Sequence, residues 1–266
     1  MRIITLTTDL GNKDYYAGKL KGTLLRYTAA WGAMLVDITH EVDSFSISHG
    51  AFVLKNCFAD FPEGTIHLLS VHNFHADAQP RFLLAQYAGH YFIGADNGQF
   101  SLLFDSEQRV DLYELPALPT NSTQSANEAV HLLFAQTAAQ LAQNLPLHQI
   151  GTATEQLQQR FSPQAVIGKD YIRGSVAHID KYDNVILNVD RRLFERVGQG
   201  RRFELYYRRF DPITQLHQHY ADVPVGDVLC FFNSANLLEI AIHLDRAATL
   251  LGLHVEDLIQ IDFYNE

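Results

Sequence analysis

The sequence RIITLTTDLGNKDYYAGKLKG, residues 2–22, decides the fold of the N-terminal half of the chain. Its apolar, β-branched run at residues 3–7 is typical of a buried strand. Asp9, Gly11 and Asn12 follow this run, and such residues are typical of a turn. The strand is therefore expected to end near Asp9 and to present that carboxylate at its carboxyl end.

A helix is expected after this turn. Apolar residues fall at helical spacing from Tyr15 to Leu25, and Asp14 is suitably placed to act as the N-cap. A buried strand, an acidic turn and a helix open a parallel α/β sheet, in which ligands bind beyond the carboxyl ends of the strands. Asp9 and Asp14 are thus candidate ligand-binding residues, and the alternative is that both only cap the turn and the helix.

Strands and helices continue to alternate in the N-terminal part. The apolar patterns predict strands at residues 33–42, 65–72, 81–89, 90–98 and 110–116, and helices from about residue 48 and at 129–145. The second strand of the hairpin ends in Asp96, Asn97 and Gly98. This tripeptide is typical of a turn. Asn97 is therefore either a binding residue at a strand end or part of a purely structural turn.

The pattern changes after a polar stretch at residues 152–164 that contains Pro163. Beyond it, short strands are expected at residues 170–180, 184–190, 201–210, 226–233 and 258–263, with a strand and a short helix mixed in 235–253. The predicted fold is therefore α/β: an N-terminal domain, residues 1–165, with a mostly parallel sheet flanked by helices, and a smaller all-β barrel or sandwich domain, residues 166–266.

Composition narrows the class of function. The chain has 266 residues and a formal net charge of -10, with no compensating run of Lys or Arg, which argues against binding to a nucleic-acid backbone. The N-terminal residues lack the pattern of a signal peptide, and no apolar run is long enough to cross a membrane. A cytoplasmic protein without a membrane partner is expected.

Cysteine and histidine spacing predicts no metal site. Cys57 and Cys230 are far apart and neither has a CxxC partner, so both are expected to be core thiols rather than a disulfide or zinc ligands. His72 and His75 are three residues apart in a predicted loop, without the acidic neighbour that a metal motif requires.

Six motifs, in order, carry a resemblance to a known family. They read TTDLGNKDYYAGKLKG, VDITHEVDSFSISHGAFVL, FPEGTIHLLSV, YFIGADNGQFSLL, IDKYDNVILNV and YADVPVGD followed by NSANLLEIAI. Together they resemble the S-adenosyl-L-methionine hydrolase (adenosine-forming) family, which is related to the S-adenosylmethionine-dependent fluorinases and chlorinases. Each motif alone is weak, but the series extends from residue 3 to residue 262 with family-like spacing.

The resemblance implies an activity and an assembly. Members attack S-adenosyl-L-methionine at C5' with water and release adenosine and L-methionine, without a cofactor or a metal. The resemblance also implies a homotrimer whose sites lie between the N-terminal domain of one subunit and the C-terminal domain of the next.

The resemblance also assigns substrate-binding residues in the N-terminal domain. Asp9 matches a carboxylate that holds the ribose hydroxyls, and two charge-assisted hydrogen bonds to a vicinal diol explain a carboxylate at a strand end. Phe45 matches an aromatic residue near the ribose and the methionine portion.

Further binding residues are implied in the C-terminal domain. Asp180 and Asn184 match groups that contact the methionine end, and Tyr182 matches a ring that packs on the adenine. The residues implied to read adenine are Asn233, Ser234 and Glu239. Without the resemblance, residues 180–184 would be interpreted as a hairpin turn. The family has a glycine in this turn, where this chain has Asp183.

The catalytic set departs from the family pattern. Family members use an Asp at the end of the third strand, an Arg about seven residues later and a His before the helix near residue 130. Here His72 stands in place of the Asp, and the Arg position falls on Gln79 or, after a small insertion, on Arg81. The third position falls at residues 127–129, and the nearest histidine, His131, is expected inside the helix.

Three hypotheses about the chemistry therefore stay open. Displacement at C5' of a sulfonium needs an in-line nucleophile and little acid catalysis, because the thioether leaves as a neutral group. A neutral His72 is suited to orient or deprotonate a water, with Arg81 as the second candidate catalytic residue. The alternatives are a nucleoside-binding protein that has lost turnover, with His72 an ordinary loop residue, and an enzyme with another nucleophile such as a halide.

Overall fold

The computed structural model of the protein describes residues 2–74, 80–104, 108–118, 125–207 and 211–264. Contacts between Cα atoms group the chain into two compact units, one up to Ser162 and one from Pro163 onward. Each unit has its own sheet and its own hydrophobic core.

The first unit contains a seven-stranded sheet with helices on both faces. Its strands are β1 (Ile3–Thr8), β2 (Met34–Thr39), β3 (Ile66–Ser70), β4 (Phe82–Tyr87), β5 (His90–Ala95), β6 (Asp111–Glu114) and β7 (Thr152–Thr154). Its helices are α1 (Tyr16–Thr28), α2 (Ile47–Lys55), α3 (Gln99–Leu103), α4 (Ala126–Ala142) and α5 (Leu147–Ile150), with 3-10 turns at Ala29–Trp31 and Phe58–Asp60.

The order of the strands brings several carboxyl ends to one edge. The sheet runs β2-β1-β3-β5-β4-β6-β7; the first four strands pair in parallel, and the remaining pairs are antiparallel. The residues that follow β1, β3 and β5 therefore lie at the same edge, as the sequence predicted. The predicted α/β class of this part is confirmed, in the form of a mixed sheet.

The two faces of the sheet bury separate apolar clusters, because successive side chains of a strand point to opposite sides. Leu68 of β3 packs with Leu24 of α1 and Phe134 of α4 on one face. The next residue, Leu69, packs with Leu54 of α2 on the other face. Burial on both faces explains why β3 has no polar alternation in its sequence.

The start of α1 differs from the prediction. The helix begins at Tyr16 with Tyr15 in the N-cap position, where no side chain caps it. Asp14 is exposed one residue earlier, so its predicted role as N-cap is wrong. The first helical residue is therefore one position later than the pattern suggests, although the backbone of Tyr15 is already in the right-handed helical region at φ -79° and ψ -6°.

Two histidines are buried together inside the first sheet. The His67 ring of β3 contacts Thr5 Oγ1 at 2.7 Å through Nδ1 and His90 Nδ1 at 3.1 Å through Nε2. It also stacks on Phe92, with ring centroids 4.9 Å apart. Burial, with His90 beside it, lowers the pKa of His67 to about 3, so its imidazole is neutral at physiological pH.

The second unit is built on an antiparallel sheet of order β11-β14-β9-β10-β13-β12, with β8 paired to β9. Its strands are β8 (Val166–Ile167), β9 (Tyr171–Ile179), β10 (Val185–Asp190), β11 (Arg202–Tyr206), β12 (Val228–Phe232), β13 (Leu237–Ile242) and β14 (Leu258–Tyr264). The sheet curls as a half-barrel, so the predicted all-β class of this part is confirmed. Residues 208–210 of the predicted strand 201–210 lie outside the described residues.

Short helices interrupt the strands of the second unit. They are α6 (Arg191–Gly198), α7 (Ala247–Leu251) and a 3-10 turn at Tyr220–Asp222. Helix α6 was not predicted, because it has few apolar positions, but Asp190 marks its start by accepting a hydrogen bond from Leu193 N at 2.7 Å. The strand followed by a short helix in residues 235–253 is confirmed.

Both cysteines are free thiols, as expected. Burial raises the pKa of Cys57 to about 11 and that of Cys230 to about 12, so both are protonated and unreactive at neutral pH. In the part of the chain that the structure describes, no three His, Cys, Asp or Glu side chains are grouped as a metal would require. None of the described helices is both long enough and apolar enough to span a bilayer.

Candidate functional site

One carboxylate oxygen of Asp9 holds two loops of the first unit. Asp9 follows β1, and its Oδ2 accepts hydrogen bonds from the backbone N–H of Phe45 at 3.1 Å and of His72 at 3.3 Å. The other oxygen, Oδ1, receives no hydrogen bond from any described residue. Asp9 therefore fixes its neighbours with one oxygen, and no described residue donates a hydrogen bond to the second.

The two residues bonded to Asp9 are both in the left-handed backbone region. Phe45 has φ +67° and His72 has φ +48°. Non-glycine residues adopt this conformation at a cost, and such residues cluster at functional sites. The Phe45 ring is 71% exposed and contacts the His72 ring edge to face, with centroids 5.4 Å apart.

The left-handed backbone of His72 is relevant to the presence of a histidine where the family pattern has an aspartate. Asp, Asn and His are the non-glycine residues most enriched in the left-handed region. The Asp of the family and the His of this chain are both residues that tolerate this backbone. A histidine at position 72 is therefore compatible with the left-handed backbone that the loop adopts here, and it places an imidazole where the family pattern has a carboxylate.

Asn97 secures the same loop from the end of β5. It is buried, its Nδ2 donates to the carbonyl oxygens of Val71 and His72, each at 3.0 Å, and its Oδ1 accepts from Gln99 N at 3.2 Å. Both sides of the amide are thus engaged by the protein. We name Asp9, Phe45, His72 and Asn97 the Asp9 cluster. Of the other residues predicted for this part, Asp14 is exposed in the turn before α1.

The loop after β1 is further supported by a buried histidine at the end of β2. His40 Nδ1 lies 2.8 Å from Thr8 Oγ1, and its Nε2 lies 3.2 Å from Asp37 Oδ1. The carbonyl oxygen of His40 accepts from Gly11 N at 2.7 Å. Asp37 and His40, at the end of β2, therefore support the loop that contains Asp9.

Arg81 lies in a different set of contacts. Its Nη1 donates to Asp96 at 2.7 Å, its Nε donates to Glu114 at 2.8 Å, and its Nη2 donates to Thr154 Oγ1 at 3.1 Å and to the carbonyl oxygen of Gln156 at 3.0 Å. The guanidinium thus joins the segments of β4 to β7. The four groups that accept hydrogen bonds from Arg81 do not include His72, and the catalytic role of Arg81 stays a prediction.

Gln79 and His131 are the remaining residues that the sequence analysis considered for the catalytic set. Gln79, the alternative to Arg81, and His75 lie outside the described residues. His131 lies inside α4, as expected, where it is buried. Burial lowers the pKa of His131, with the charge of Lys19 acting in the same direction.

In the second unit, Asp180 shapes the turn between β9 and β10. Its Oδ1 accepts from the backbone N–H of Tyr182 at 2.9 Å and of Asn184 at 2.8 Å, and its Oδ2 accepts from Asn184 Nδ2 at 3.2 Å. The hairpin turn that the sequence alone favours is thus present. Within this turn the Tyr182 ring is 78% exposed, as a ring that packs on a planar ligand requires.

Asp183 explains how the turn works without the family's glycine. Its backbone is left-handed at φ +69°, a conformation that glycine adopts freely and aspartate tolerates. Its Oδ2 accepts from Thr249 N at 2.7 Å, and its carbonyl oxygen accepts from Ala248 N at 2.8 Å. The hydrogen bonds with Thr249 lower the pKa of Asp183. The aspartate therefore ties the turn to the first turn of α7.

Tyr220 connects residues that the sequence analysis assigned to separate ends of the ligand. Its hydroxyl lies 3.3 Å from Asn184 Nδ2 and 2.9 Å from Glu239 Oε1. Glu239 is buried in β13, and its Oε2 accepts from Asn233 Nδ2 at 3.1 Å. We name Asp180, Asn184, Tyr220, Glu239 and Asn233 the Tyr220 network. Sequence reasoning missed Tyr220, although it lies in the quoted motif YADVPVGD.

The network is held in place by the backbone after β12. Asn233 Oδ1 accepts from the N–H groups of Ala235 at 3.0 Å and Leu237 at 3.2 Å, whereas Ser234 is exposed. Burial raises the pKa of Glu239, and the charge of Asp180 adds to this effect, while the hydrogen bonds from Tyr220 and Asn233 oppose it. Burial and the charge of Glu239 likewise raise the pKa of Tyr220.

Comparison with family models covers most of the chain. Residues 4–151 match the SAM hydroxide adenosyltransferase N-terminal domain, and residues 174–260 match the SAM hydroxide adenosyltransferase C-terminal domain. The N-terminal match contains the Asp9 cluster, and the C-terminal match contains the Tyr220 network.

Individual proteins give a consistent result. The chain is 25% identical to a protein of Methanocaldococcus jannaschii named (R)-S-adenosyl-L-methionine hydrolase, over 97% of this chain and 95% of the relative. It is 24% identical to a protein of an Actinoplanes species named fluorinase, over 90% of each. The crystal structure of an uncharacterized conserved protein from Thermotoga maritima superposes with a TM-score of 0.86 at 26% identity, over 98% of this chain and all of that one.

Proposed function

The chain belongs to the SAM hydroxide adenosyltransferase family, and from this premise we propose that it is an S-adenosyl-L-methionine hydrolase that releases adenosine and L-methionine. We also propose that it acts in the cytoplasm and that it needs no cofactor or metal. The relative named (R)-S-adenosyl-L-methionine hydrolase, which matches over nearly the whole chain, supports the choice of hydrolysis.

The observation that carries this proposal is that the two oxygens of the Asp9 carboxylate differ in their hydrogen bonds. Oδ2 is occupied by the N–H groups of Phe45 and His72, whereas Oδ1 receives no hydrogen bond from a described residue. A ribose offers two neighbouring hydroxyl donors, and a carboxylate accepts both strongly. The exposed Phe45 ring beside it gives the sugar an apolar surface on which to pack.

The reaction is a displacement at C5'. Water attacks C5' in line with the C5'–S bond, the bonding electron pair goes to sulfur, and methionine leaves as a neutral thioether while the water loses a proton. Because the leaving group needs no proton, positioning and exclusion of bulk water supply much of the rate. We assign His72 to orient the water or accept its proton, since Asp9 and Asn97 fix the backbone on both sides of that residue.

We further propose a homotrimer. The resemblance to the hydrolase family supports this assembly, and it implies that one substrate molecule is bound by the Asp9 cluster of one subunit and the Tyr220 network of another. In the second unit, we assign Asp180 and Asn184 of the Tyr220 network to the methionine end, and Asn233 and Glu239 of the network to the edge of the adenine. Outside the network, we assign Tyr182 to the face of the adenine and Ser234 to its edge. Nucleic acid is not a partner in this proposal.

A second candidate function has its own support. The donors of Arg81 are directed to protein groups, and His72 replaces the family's Asp, so the catalytic set differs from that of the family. A nucleoside-binding protein without turnover fits these two observations. A change of nucleophile, for instance to a halide, also alters this part of the site.

Incubation with S-adenosyl-L-methionine separates these candidates. The pure protein is incubated with the substrate, with and without chloride or fluoride, and the products are identified by chromatography. Adenosine and methionine are expected in all mixtures. A 5'-halo-5'-deoxyadenosine would assign a halide as nucleophile, and binding of adenosine without any product would favour the binding protein. If neither binding nor turnover occurred, the proposal would be wrong.

A further inference from the structure

In each hydrogen bond of the Tyr220 network, the chemistry of the side chains determines which group donates and which accepts. Carboxylates only accept hydrogen bonds. Glu239 therefore accepts a hydrogen bond from the Tyr220 hydroxyl at 2.9 Å, and Asp180 accepts one from the Asn184 amide at 3.2 Å. The Tyr220 hydroxyl has a single proton, and it donates this proton in the hydrogen bond to Glu239. The hydroxyl oxygen therefore accepts the hydrogen bond from Asn184 Nδ2.

With this assignment of donors and acceptors, both N–H groups of the Asn184 amide donate to protein groups. One donates to Asp180 Oδ2 and the other to the Tyr220 oxygen at 3.3 Å. No described residue donates to Asn184 Oδ1. The amide can therefore offer a ligand only its carbonyl oxygen, which is an acceptor.

Tyr220 is itself held before any ligand arrives. It begins a 3-10 turn in which the Asp222 carboxylate accepts from His219 N at 3.0 Å and Gln218 N at 2.8 Å. Its ring packs edge to face on Phe231, with centroids 4.9 Å apart. The ring contact does not involve the hydroxyl, so a phenylalanine at this position keeps the packing and removes only the two hydrogen bonds.

We propose that Tyr220 is a positioning residue that holds the Asn184 amide with its carbonyl oxygen toward the ligand, so that this position selects an N–H donor. The inference rests on the proposed function, which supplies a ligand with two candidate donors. One is the α-ammonium group of methionine, and the other is the exocyclic amine of adenine. Both are the same chemistry, an amino group that meets a fixed acceptor.

Two pairs of small ligands distinguish the sources. Adenosine and inosine differ by an exocyclic amine against a carbonyl, and methionine and 4-(methylthio)butanoate differ by the α-amino group. Their dissociation constants are measured calorimetrically for the wild type, Tyr220→Phe and Glu239→Gln. The side chain introduced by Glu239→Gln has nearly the same shape but can donate as well as accept. The Tyr220 hydroxyl is then no longer required to donate to residue 239. Tyr206→Phe is the matched control, because Tyr206 bonds to Glu204 on β11, at the far edge of the sheet.

We expect wild type to prefer the amino ligand of one pair, and Tyr220→Phe and Glu239→Gln to reduce that preference by about three- to tenfold, the worth of one ordinary hydrogen bond. Tyr206→Phe should keep it. The pair that changes identifies which amino group meets Asn184.

Failure of this inference differs from failure of the proposed function. If wild type prefers the amino ligands and Tyr220→Phe keeps the full preference, Tyr220 has no positioning role although the function stands. If wild type binds none of the four ligands nor S-adenosyl-L-methionine, both are wrong. A readout without ligand accompanies these measurements: the side-chain NH₂ resonances of Asn184 should move in Tyr220→Phe and not in Tyr206→Phe, and unchanged resonances would also overturn the inference.

Discussion

Asp9 is a single side chain with two functions, and a conservative substitution separates them. In Asp9→Asn the amide oxygen can still accept from the N–H groups of Phe45 and His72, so the loops should keep their positions. The negative charge that we propose faces the ribose is lost. We expect adenosine binding to weaken by about 1.5–3 kcal/mol, the worth of a hydrogen bond to a charged group.

Calorimetric titration with adenosine measures this effect. The exposed Asp60, at the end of the 3-10 turn before β3, provides the control variant Asp60→Asn, which should bind like wild type. Unchanged affinity in a folded Asp9→Asn protein would exclude Asp9 from the binding site.

His72 is expected to act through its side chain alone. Its backbone groups are held by Asp9 and Asn97, so His72→Ala should leave the loop in place. If the imidazole orients or deprotonates the water, kcat should fall by about 10²- to 10⁴-fold, the usual contribution of a general base, with KM little changed. Steady-state kinetics of S-adenosyl-L-methionine turnover measure this loss. The exposed His148 gives the control His148→Ala, and equal kcat in both variants would contradict the catalytic assignment.

At the scale of single residues, the sequence predicted the polar groups but not their connections. Asp9 and Asn97 could be placed at strand ends because strand ends follow from apolar runs. Tyr220 could not be identified in the same way. Its partners, Asn184 and Glu239, are 36 and 19 residues away in the chain, and no periodicity connects residues across a sheet.

The turn between β9 and β10 is an element whose stability can be tested. Asp183→Ala keeps the left-handed backbone and removes the hydrogen bond to Thr249 N. We expect it to lower the free energy of unfolding by about 1–2 kcal/mol, as for loss of a helix-capping side chain. Asp183→Gly also loses the bond but relieves the backbone, so it should cost less. Urea unfolding of both variants measures the order, and a glycine variant less stable than the alanine variant would contradict this account.

The buried pair of histidines between β3 and β5 predicts how stability depends on pH. In the unfolded chain His67 takes up a proton near pH 6.5, whereas in the folded chain its pKa is about 3. Between these values the unfolded state binds more protons, so stability falls as pH falls through this window. One such group contributes a slope of up to about 1.4 kcal/mol per pH unit.

A variant isolates the contribution of His67. Glutamine can hydrogen-bond to both Thr5 and His90 but does not titrate, so His67→Gln should show a shallower loss of stability below pH 6.5. His90, whose pKa burial also lowers while Glu63 raises it, titrates in both proteins. Chemical unfolding at a series of pH values measures the slopes, and equal slopes would show that His67 is not the source.

Whole elements were predictable to the extent that their apolar pattern was regular. β1, β3 and α4 follow clear patterns, because each buries a continuous apolar surface. α6 lacks such a surface, with Phe194 and Val197 as its buried large side chains, and therefore resembled a loop. The cap of α1 was misplaced because Asp14 has the right chemistry one residue too early.

For the whole molecule, the proposed trimer gives a mass that can be measured. Light scattering at working concentration should yield three times the chain mass of 30.1 kDa. The fragment of residues 1–165 should fold, since it contains a sheet and a core of its own, but it should not bind adenosine at wild-type affinity. A monodisperse monomer, or full-affinity binding by the fragment, would contradict a site shared between subunits.

Position 72 is held in a way that has a consequence for how such a protein can change its chemistry. The N–H of His72 donates to Asp9 and its carbonyl oxygen accepts from Asn97, so hydrogen bonds with two other residues hold the main chain on both sides of this position. The side chain at this position, which we propose as the reactive group, can therefore be exchanged while the main chain keeps its position, and the main limit is tolerance of a left-handed φ of +48°. Aspartate, asparagine, glycine and histidine satisfy that limit at little cost, whereas valine and isoleucine do not. A small set of variants at position 72 would therefore compare different side chains as the proposed reactive group, while the proposed nucleoside-binding contacts stay unchanged.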